Sequence, residues 1–136
     1  MAATTQSKNH HLRCVMQKNH NGLGIRSKIW IEVDGEAVFG RGRRFLLEAI
    51  GSNGSINRAA QEVDISFRKA WSHIKAMEAR LGVKLVECHT GGKNGGGAVL
   101  TADARKLLKK YEALEKGIQN IVDRRFRTIF KRGAHV

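Results

Sequence analysis

Proline is absent from this sequence of 136 residues, and cysteine occurs only twice. Without proline, no helix is kinked by a fixed ring and a missing N–H, so long uninterrupted helices are expected. Because Cys14 and Cys88 lie in unrelated segments, a disulfide framework is not expected, and free thiols fit a reducing compartment. No apolar run approaches the ~18 residues of a membrane span, and no apolar stretch of a signal peptide follows Met1. We therefore expect a soluble, cytoplasmic protein without a membrane partner.

Acidic residues are scarce: 12 Asp and Glu stand against 25 Lys and Arg, which gives a formal net charge of +13. A charge of this size indicates a polyanionic partner, with nucleic acid ahead of an anionic membrane surface. Apolar residues make up 41% of the chain, enough for a folded domain with a modest core. The composition favours a nucleoid-associated protein.

The sequence also offers little for catalysis or metal binding. Its pattern suggests no pair of carboxylates and no nucleophile beside a base, so we expect no enzyme and no cofactor. Residues 1–25 are polar and lack apolar periodicity, and they are expected to form a disordered arm. The arm contains four potential metal ligands at a spacing that matches no standard zinc site: His10, His11, Cys14 and His20. We expect no metal there, and ligation by the arm stands as the alternative.

A hairpin and a helix are indicated between residues 27 and 54. Ile29, Ile31 and Val33 recur at every second position, which is the period of a half-buried strand. The pair Asp34-Gly35 is a two-residue turn signal, and residues 36–39 supply the return strand before 40–42 end the ribbon. Apolar residues at helical spacing in 45–50 then predict a first helix that ends near residues 51–54.

Two more helices follow, joined by a tight turn. Ser55 is expected to cap a short second helix, and Asp64-Ile65 is too brief to be more than a turn. Ser66 is expected to cap a third helix, which Gly82 ends. Its buried positions step by four, three and four residues: Ala70, Ile74, Met77 and Leu81. We expect Trp71 to be a core residue wedged against the second helix.

Thr101 is expected to cap a last helix from Ala102 to about Phe130. At 1.5 Å per residue this helix is ~40 Å long, too long for a core of this size to cover. Its apolar residues repeat in alternating steps of three and four, as in a coiled coil, and should meet a second copy of the chain. The predicted dimerisation residues are Leu107, Tyr111, Leu114, Ile118 and Ile121.

The order of these elements predicts a fold that is mainly α with small β hairpins, an α+β winged helix-turn-helix followed by a long C-terminal dimerisation helix. The expected boundaries are 1–25 for the disordered arm, 26–101 for the winged helix-turn-helix, 102–130 for the dimerisation helix and 131–136 for a basic tail. The cations from Arg124 to Arg132 could lie along a DNA backbone or simply solubilise the end of the helix. The pattern leaves both open.

The third helix, residues 66–81, presents a polar and cationic face opposite its buried stripe. Such residues can contact base edges and phosphates in a major groove. The predicted contacts are Ser66, Phe67, Arg68, Lys69, Ser72, His73 and Lys75. An ordinary solvated helix face is the alternative.

The segment 90–97, Thr-Gly-Gly-Lys-Asn-Gly-Gly-Gly, lies between two short apolar runs. A loop almost free of side chains can approach an anion closely, and Lys93 supplies a charge. A nucleotide-binding P-loop needs Gly-Lys followed by Ser or Thr between a strand and a helix, whereas here Asn94 follows Lys93. We expect the wing of a winged helix, with Lys93 on a DNA phosphate.

The sequence resembles a known family over roughly residues 26–122. The runs 54–60 and 78–87 and the pair Leu100-Thr101 are similar to the DNA-binding domain of LysR-type regulators, and ModE, the molybdate-responsive regulator family, is a closer match. Its pattern Ser-Tyr-Lys-x-Ala-Trp resembles residues 66–71, and its glycine-rich run matches 85–101 nearly position for position. The resemblance implies a dimeric transcriptional regulator with 66–73 as recognition helix and 90–97 as wing.

Three departures from the ModE pattern stand out. Asp64 replaces the usual glycine of the turn, which would alter the helix-turn-helix angle slightly. Cys88 replaces an arginine of the wing strand, so the phosphate contact implied there is missing or passes to His89. The chain ends near residue 136, where ModE proteins continue into molybdate-binding domains, and molybdate is therefore not expected in this chain.

These observations predict a homodimeric DNA-binding transcriptional regulator that places helix 66–81 in the major groove and the 90–97 wing on the backbone of double-stranded DNA. Two alternatives remain open: a winged-helix scaffold for protein interaction or ligand sensing, and a non-specific nucleoid-binding protein. Binding at several salt concentrations distinguishes them, because the last alternative shows a steep salt dependence without sequence preference.

Overall fold

The structure, a computed structural model, describes residues 22–90 and 96–130. It forms two compact units, of which one spans Ile29–Tyr111 and the described part of the other comprises residues 22–28 and 112–130. The elements in chain order are strands β1 (Trp30–Val33) and β2 (Glu36–Gly40), helices α1 (Arg41–Asn53), α2 (Ile56–Glu62) and α3 (Phe67–Leu81), strands β3 (Val86–His89) and β4 (Gly97–Leu100), and helix α4 (Ala102–Ile129). This is the predicted winged helix-turn-helix with a long last helix.

The first hairpin pairs β1 and β2 antiparallel through the predicted two-residue turn. Asp34 and Gly35 both have positive φ, 52° and 80°, which is the geometry that suits such a turn to the twist of its strands. The register shifts between Ile31 and Glu32, and this bulge leaves Val38 as the extra residue of β2. Because a bulge breaks the two-residue alternation, Val38 and Phe39 can both be buried although they are neighbours.

Helix α1 begins earlier than the sequence predicts. The run 40–42 was expected to end the ribbon, but the helix starts at Arg41, directly after β2. The side chain of Arg43 donates a hydrogen bond back to the carbonyl oxygen of Val38, so the first turn of the helix is attached to the strand that precedes it. At its other end α1 stops as predicted, with Gly54 at φ 65° donating its N–H to Ile50.

The turn between α2 and α3 is a Schellman motif. The N–H of Ile65 bonds the carbonyl oxygen of Ala60 at 2.9 Å, and that of Asp64 bonds Gln61 at 3.2 Å. This motif requires a left-handed residue, and Asp64 has φ 63°. A glycine would adopt that conformation without a Cβ penalty, which fits the glycine that the ModE pattern has at this position. Ser66 then caps α3 as predicted, accepting the N–H of Lys69 at 3.1 Å.

Helix α3 packs on the core through the predicted stripe. Ala70, Ile74 and Met77 are fully buried, and Leu81 is half-buried against them. The helix ends as predicted at Gly82, with φ 68°. Strands β3 and β4 pair antiparallel, and Thr101 joins them to α4: its hydroxyl donates to Lys84 O at 2.6 Å and accepts the N–H of Ala104 at 3.1 Å. The predicted cap of the last helix is therefore confirmed.

Glu78 connects α3 to the start of β3. Its carboxylate accepts the N–H groups of Leu85 at 2.8 Å and Val86 at 3.3 Å, and it contacts Lys75 Nζ at 3.3 Å. Burial by itself raises the pKa of this carboxyl, but the two backbone donors and Lys75 outweigh it, so that the pKa of Glu78 is lowered. The folded structure thus holds Glu78 in its charged form.

In the second unit, the described residues form short polar and aromatic contacts along α4. Ser27 donates to Gln119 at 2.6 Å, and Gln119 donates to Asp123 at 2.7 Å. The rings of Phe126 and Phe130 lie 4.9 Å apart, and Phe126 is buried. None of the helices in the described part of the chain combines the length and the apolar character that crossing a bilayer requires.

Because residue 64 has a left-handed backbone conformation, the free energy of unfolding should depend on which side chain stands at this position. Asp64→Gly and Asp64→Asn should keep or raise the free energy of unfolding, because glycine and asparagine adopt this region readily. Asp64→Val should lower it by about 1–2 kcal/mol, since a branched Cβ clashes in this conformation. Urea unfolding of the three variants measures the order, and a valine variant as stable as the glycine variant would contradict it.

The lowered pKa of Glu78 makes part of the stability pH-dependent. The carboxylate contributes fully above the ordinary Glu pKa of about 4.3, and its contribution is lost as pH falls through the lower folded value. Glu78→Gln should therefore cost about 1–3 kcal/mol at neutral pH and much less in acid.

The measurement is urea unfolding of both proteins from neutral pH down through the acid range in which the Glu78 carboxyl becomes protonated. Glu87→Gln is the matched control because it removes an exposed carboxylate from β3 itself, and it should change little. A constant difference between wild type and Glu78→Gln across this range would show that the charge of Glu78 is not what stabilises the contact.

Candidate nucleic-acid interface

The first turns of α3 carry the cationic residues that the sequence singled out. Four residues separate α2 from α3, and the Schellman turn among them sets where α3 begins. The buried stripe faces the core, so that the residues between its positions point outward. Five of the predicted contacts are exposed there: Ser66, Phe67, Arg68, Lys69 and Ser72.

Trp71 is not the core residue that the sequence analysis expected. It is 39% exposed and stacks on Phe67, itself 49% exposed, with ring centroids 6.3 Å apart and planes inclined by 19°. The reason is helical geometry: Ala70 and Ile74 already fill the buried face, and Trp71 is turned about 100° away from Ala70. The signal that sequence reasoning missed is the four-residue spacing from Phe67, which places the two rings side by side.

Lys75, another predicted contact, is held on the helix surface by its neighbours. Its Nζ lies 4.6 Å from the centroid of the Trp71 ring and 3.3 Å from the carboxylate of Glu78. The ammonium group of Lys75 therefore interacts both with the face of the Trp71 ring and with the carboxylate of Glu78. The side chain remains exposed, so that it can still meet an anion.

His73 follows Lys69 by about one turn of α3 and contacts α1. Its Nδ1 is 3.3 Å from Nη2 of Arg43 on α1, and the imidazole is half-buried. Burial, then the charges of Arg43 and Lys69, lower the pKa of His73, which favours a neutral ring that accepts the Arg43 hydrogen bond. The described contact of His73 joins α3 to α1, and its DNA contact stays a prediction.

The wing is described at its base but not at its tip. His89 and Cys88 are exposed at the end of β3, whereas the predicted phosphate contact Lys93 lies outside the described residues. A Cβ at Gly96 would come within 2.5 Å of the carbonyl oxygen of His89, so only glycine permits the strands to approach this closely. The N–H of Ala98 bonds the carbonyl oxygen of Gly54 at 2.8 Å, which attaches the wing to the end of α1.

A cleft of about 210 Å³ separates the wing from the two helices of the helix-turn-helix. It is lined by Ser55, Ile56 and Asn57 from the start of α2, by Phe67 and Trp71 from α3, and by Cys88, His89, Gly96, Gly97 and Ala98 from the wing. The structure thus brings two predicted contacts, Phe67 and His89, to one place. It adds Ser55, Asn57 and Trp71, which were not among the predicted DNA contacts. For Asn57, the available signal was its position at a helix start beside the cap Ser55.

The predicted dimerisation residues divide into two sets. Tyr111 is 1% exposed: its ring packs edge-on against Phe39 at 5.0 Å, and its hydroxyl donates to Ile29 O at 3.0 Å. Leu107 is half-buried against the same core. The inclusion of Tyr111 in a dimer seam was therefore wrong, because the core of its own unit already uses this side chain.

Further along α4 the apolar side chains are available. Leu114 is 49% and Ile121 59% exposed, and Ile118 is half-buried. The four potential metal ligands of the arm, where no metal is expected, lie outside the described residues: His10, His11, Cys14 and His20. Across 22–90 and 96–130, no three His, Cys, Asp or Glu residues gather closely enough to hold a metal ion.

The chain is similar to known regulators in both sequence and fold. Residues 45–105 match the family described as bacterial regulatory helix-turn-helix protein, lysR family. The molybdenum-pterin-binding protein MopB of Rhodobacter capsulatus is 38% identical over 122 residues, which are 90% of this chain and 41% of that protein. The transcriptional regulator ModE of Haemophilus influenzae is 46% identical over 71 residues, which are 52% of this chain and 28% of that protein. The chain thus spans less than half the length of these two relatives.

A solved structure shows the same fold at lower identity. The protein chain of a CbnR DBD–DNA complex superposes with a TM-score of 0.50 and 23% identity, over 64% of this chain and 94% of that one. The matched region 45–105 begins in α1 and ends in the first turn of α4, so it contains both helices of the helix-turn-helix and the wing. Residues 45–105 therefore match the lysR family of bacterial regulatory helix-turn-helix proteins, and the chain is similar to relatives named as ModE regulators over 52% and 65% of its length.

Proposed function

We propose that this chain is a DNA-binding transcriptional regulator that acts as a homodimer, with α3 in the major groove and the wing on the sugar-phosphate backbone. The observation that carries the proposal is the exposed first turn of α3. Arg68 and Lys69 project from a helix whose entry is fixed by the turn at Asp64 and by the cap at Ser66. The relatives named as ModE regulators and the CbnR DBD structure solved with DNA support the same reading.

Arg68 is the residue to which the proposal assigns base readout. Within the described residues its guanidinium is exposed and takes part in no described hydrogen bond or ion pair, unlike that of Arg43, which is half-buried against β2 and His73. An arginine in the major groove can bond O6 and N7 of guanine together. Lys69, Ser66 and Ser72 lie close by on the same helix and would add phosphate or base contacts.

The wing supplies the second part of the proposed contact. His89 is exposed at the end of β3, and the glycine at 96 lets the hairpin close tightly beside it. Lys93 keeps its predicted role as a phosphate contact on the strength of the sequence alone. A net charge of +13 supports long-range attraction of the whole chain to a polyanion.

The proposed dimer seam contains fewer residues than the sequence analysis predicted. With Tyr111 in the core, the seam available to a second copy consists of Leu114, Ile118 and Ile121. These residues lie at steps of four and three, so they share one face of α4. In such a homodimer, the two α3 helices are expected to enter successive major grooves about 34 Å apart.

Specific binding is tested by selecting duplexes from a random pool with the full chain. A palindromic consensus would support both the site and the dimer, whereas binding without enrichment would favour the non-specific nucleoid-binding alternative, and no binding would favour the scaffold alternative.

Arg68→Ala separates base readout from charge. It should weaken binding to the selected site by about 1–3 kcal/mol and binding to random duplex much less. Lys84→Ala is the control: it also removes an exposed cation, but beyond the opposite end of α3, and should affect both duplexes little. Equal losses on selected and random duplex for Arg68→Ala would remove Arg68 from base readout.

Self-association is tested at Ile121. Ile121→Glu places a charge in the proposed seam, and loss of an apolar contact worth about 1.5–3 kcal/mol per copy should raise the dimer dissociation constant at least tenfold. Asn120→Glu adds the same charge about 100° around the helix and should leave association unchanged. Sedimentation equilibrium at several concentrations measures both, and a wild-type chain that stays monomeric throughout would contradict the dimer.

A further inference from the structure

The aromatic pair Phe67–Trp71 is an apolar surface on the side of α3 that the proposed function places against DNA. Both rings are exposed, at 49% and 39%, although each could bury 150–250 Å² of surface in a contact. They also line the cleft of about 210 Å³ between the helices and the wing. An exposed apolar pair beside a concave surface is typical of a contact site.

The pair is held in place before any ligand arrives. The two rings stack on each other at 6.3 Å, and Lys75 lies 4.6 Å from the Trp71 centroid. Lys75 in turn contacts Glu78, whose carboxylate is fixed by the N–H groups of Leu85 and Val86. Because this chain of contacts ends on the backbone, the Trp71 ring loses little freedom when a ligand covers it.

The surroundings restrict what the rings can contact. Arg68 and Lys69 lie beside Phe67 on the same exposed turn, and an anionic partner is expected there. Within the major groove of a duplex, the apolar group that a base edge offers is the C5-methyl group of thymine. The polar edges of the other bases would leave the two rings without a matching partner.

We propose that Phe67 and Trp71 together form a reader of thymine methyl groups, a specificity determinant in addition to the arginine contact. The inference rests on the proposed function, since it requires α3 to lie in the major groove. It gives Trp71 a role in recognition, and it predicts that the DNA site contains a thymine next to the base pair read by Arg68.

The experiment removes only the methyl group. The full chain selects duplexes from a random pool made with thymidine, and each thymine of the selected site is then replaced singly by deoxyuridine. Burial of one methyl group corresponds to about fourfold in affinity, so wild-type protein should lose about fourfold at one or two positions and nothing elsewhere.

Variants then assign the effect to the rings. Phe67→Ala and Trp71→Ala should bind the thymidine and deoxyuridine duplexes equally at those positions. Val99→Ala is the matched control, because it trims an exposed apolar side chain of β4 that is not part of the cleft, and it should retain the fourfold preference. Thermal unfolding checks that each variant is folded. The deoxyuridine series with wild-type protein tests the methyl contact even if a variant fails to fold.

The outcomes separate the two proposals. A selected site at which deoxyuridine costs nothing at every position overturns the methyl reader and leaves specific DNA binding intact. Variants that lose affinity but keep the wild-type preference place the rings on the sugar-phosphate backbone and also overturn the reader. If no duplex is enriched from the thymidine pool, the proposed function itself fails.

Discussion

The carboxylate of Glu78 is the contact on which the geometry of the candidate interface depends. It accepts two backbone N–H groups at the start of the wing and meets Lys75 one turn earlier on its own helix. Burial disfavours the charge, but three donors around one carboxylate outweigh that cost, which is why the pKa of Glu78 is lowered. One side chain thereby fixes the wing to α3 and, through Lys75, orients the exposed Trp71 ring.

Arg43 and Arg68 have different roles because Arg43 is half-buried and Arg68 is exposed. Arg43 is half-buried, donates to the carbonyl oxygen of Val38 and faces His73, so its charge is used to join β2, α1 and α3. Arg68 is exposed, and its guanidinium can meet a ligand. In the sequence the two arginines look equivalent. The distinction between a positioning residue and a contact residue follows from where the backbone places each one.

Local signals predicted most of the architecture. The hairpin turn at Asp34-Gly35 and the caps at Ser55, Ser66 and Thr101 depend on hydrogen bonds within a few residues, and each is present as predicted. The buried stripe of α3 was equally readable, since helical periodicity reports which face meets the core. The untested parts, the DNA contacts and the seam of α4, involve a partner that the chain alone does not contain.

The expectation for Tyr111 failed because it required knowledge of packing between distant segments, whereas that for Trp71 failed on helical geometry. Tyr111 fits the coiled-coil spacing of α4. However, its ring packs against Phe39 and its hydroxyl donates to the carbonyl oxygen of Ile29, so that the side chain is part of the core. Trp71 looked like a core residue because it is large and apolar, yet Ala70 and Ile74 occupy the buried face of α3 and Trp71 is 39% exposed.

The sequence by itself determined the order of the elements, their caps and turns, and the family that residues 45–105 match, because these depend on short-range hydrogen bonds and on local motifs. Only the tertiary structure decided which residues of α3 and α4 are free to meet a partner. That choice depends on contacts between distant residues, such as Tyr111 with Ile29, 82 positions apart, and no local pattern encodes them.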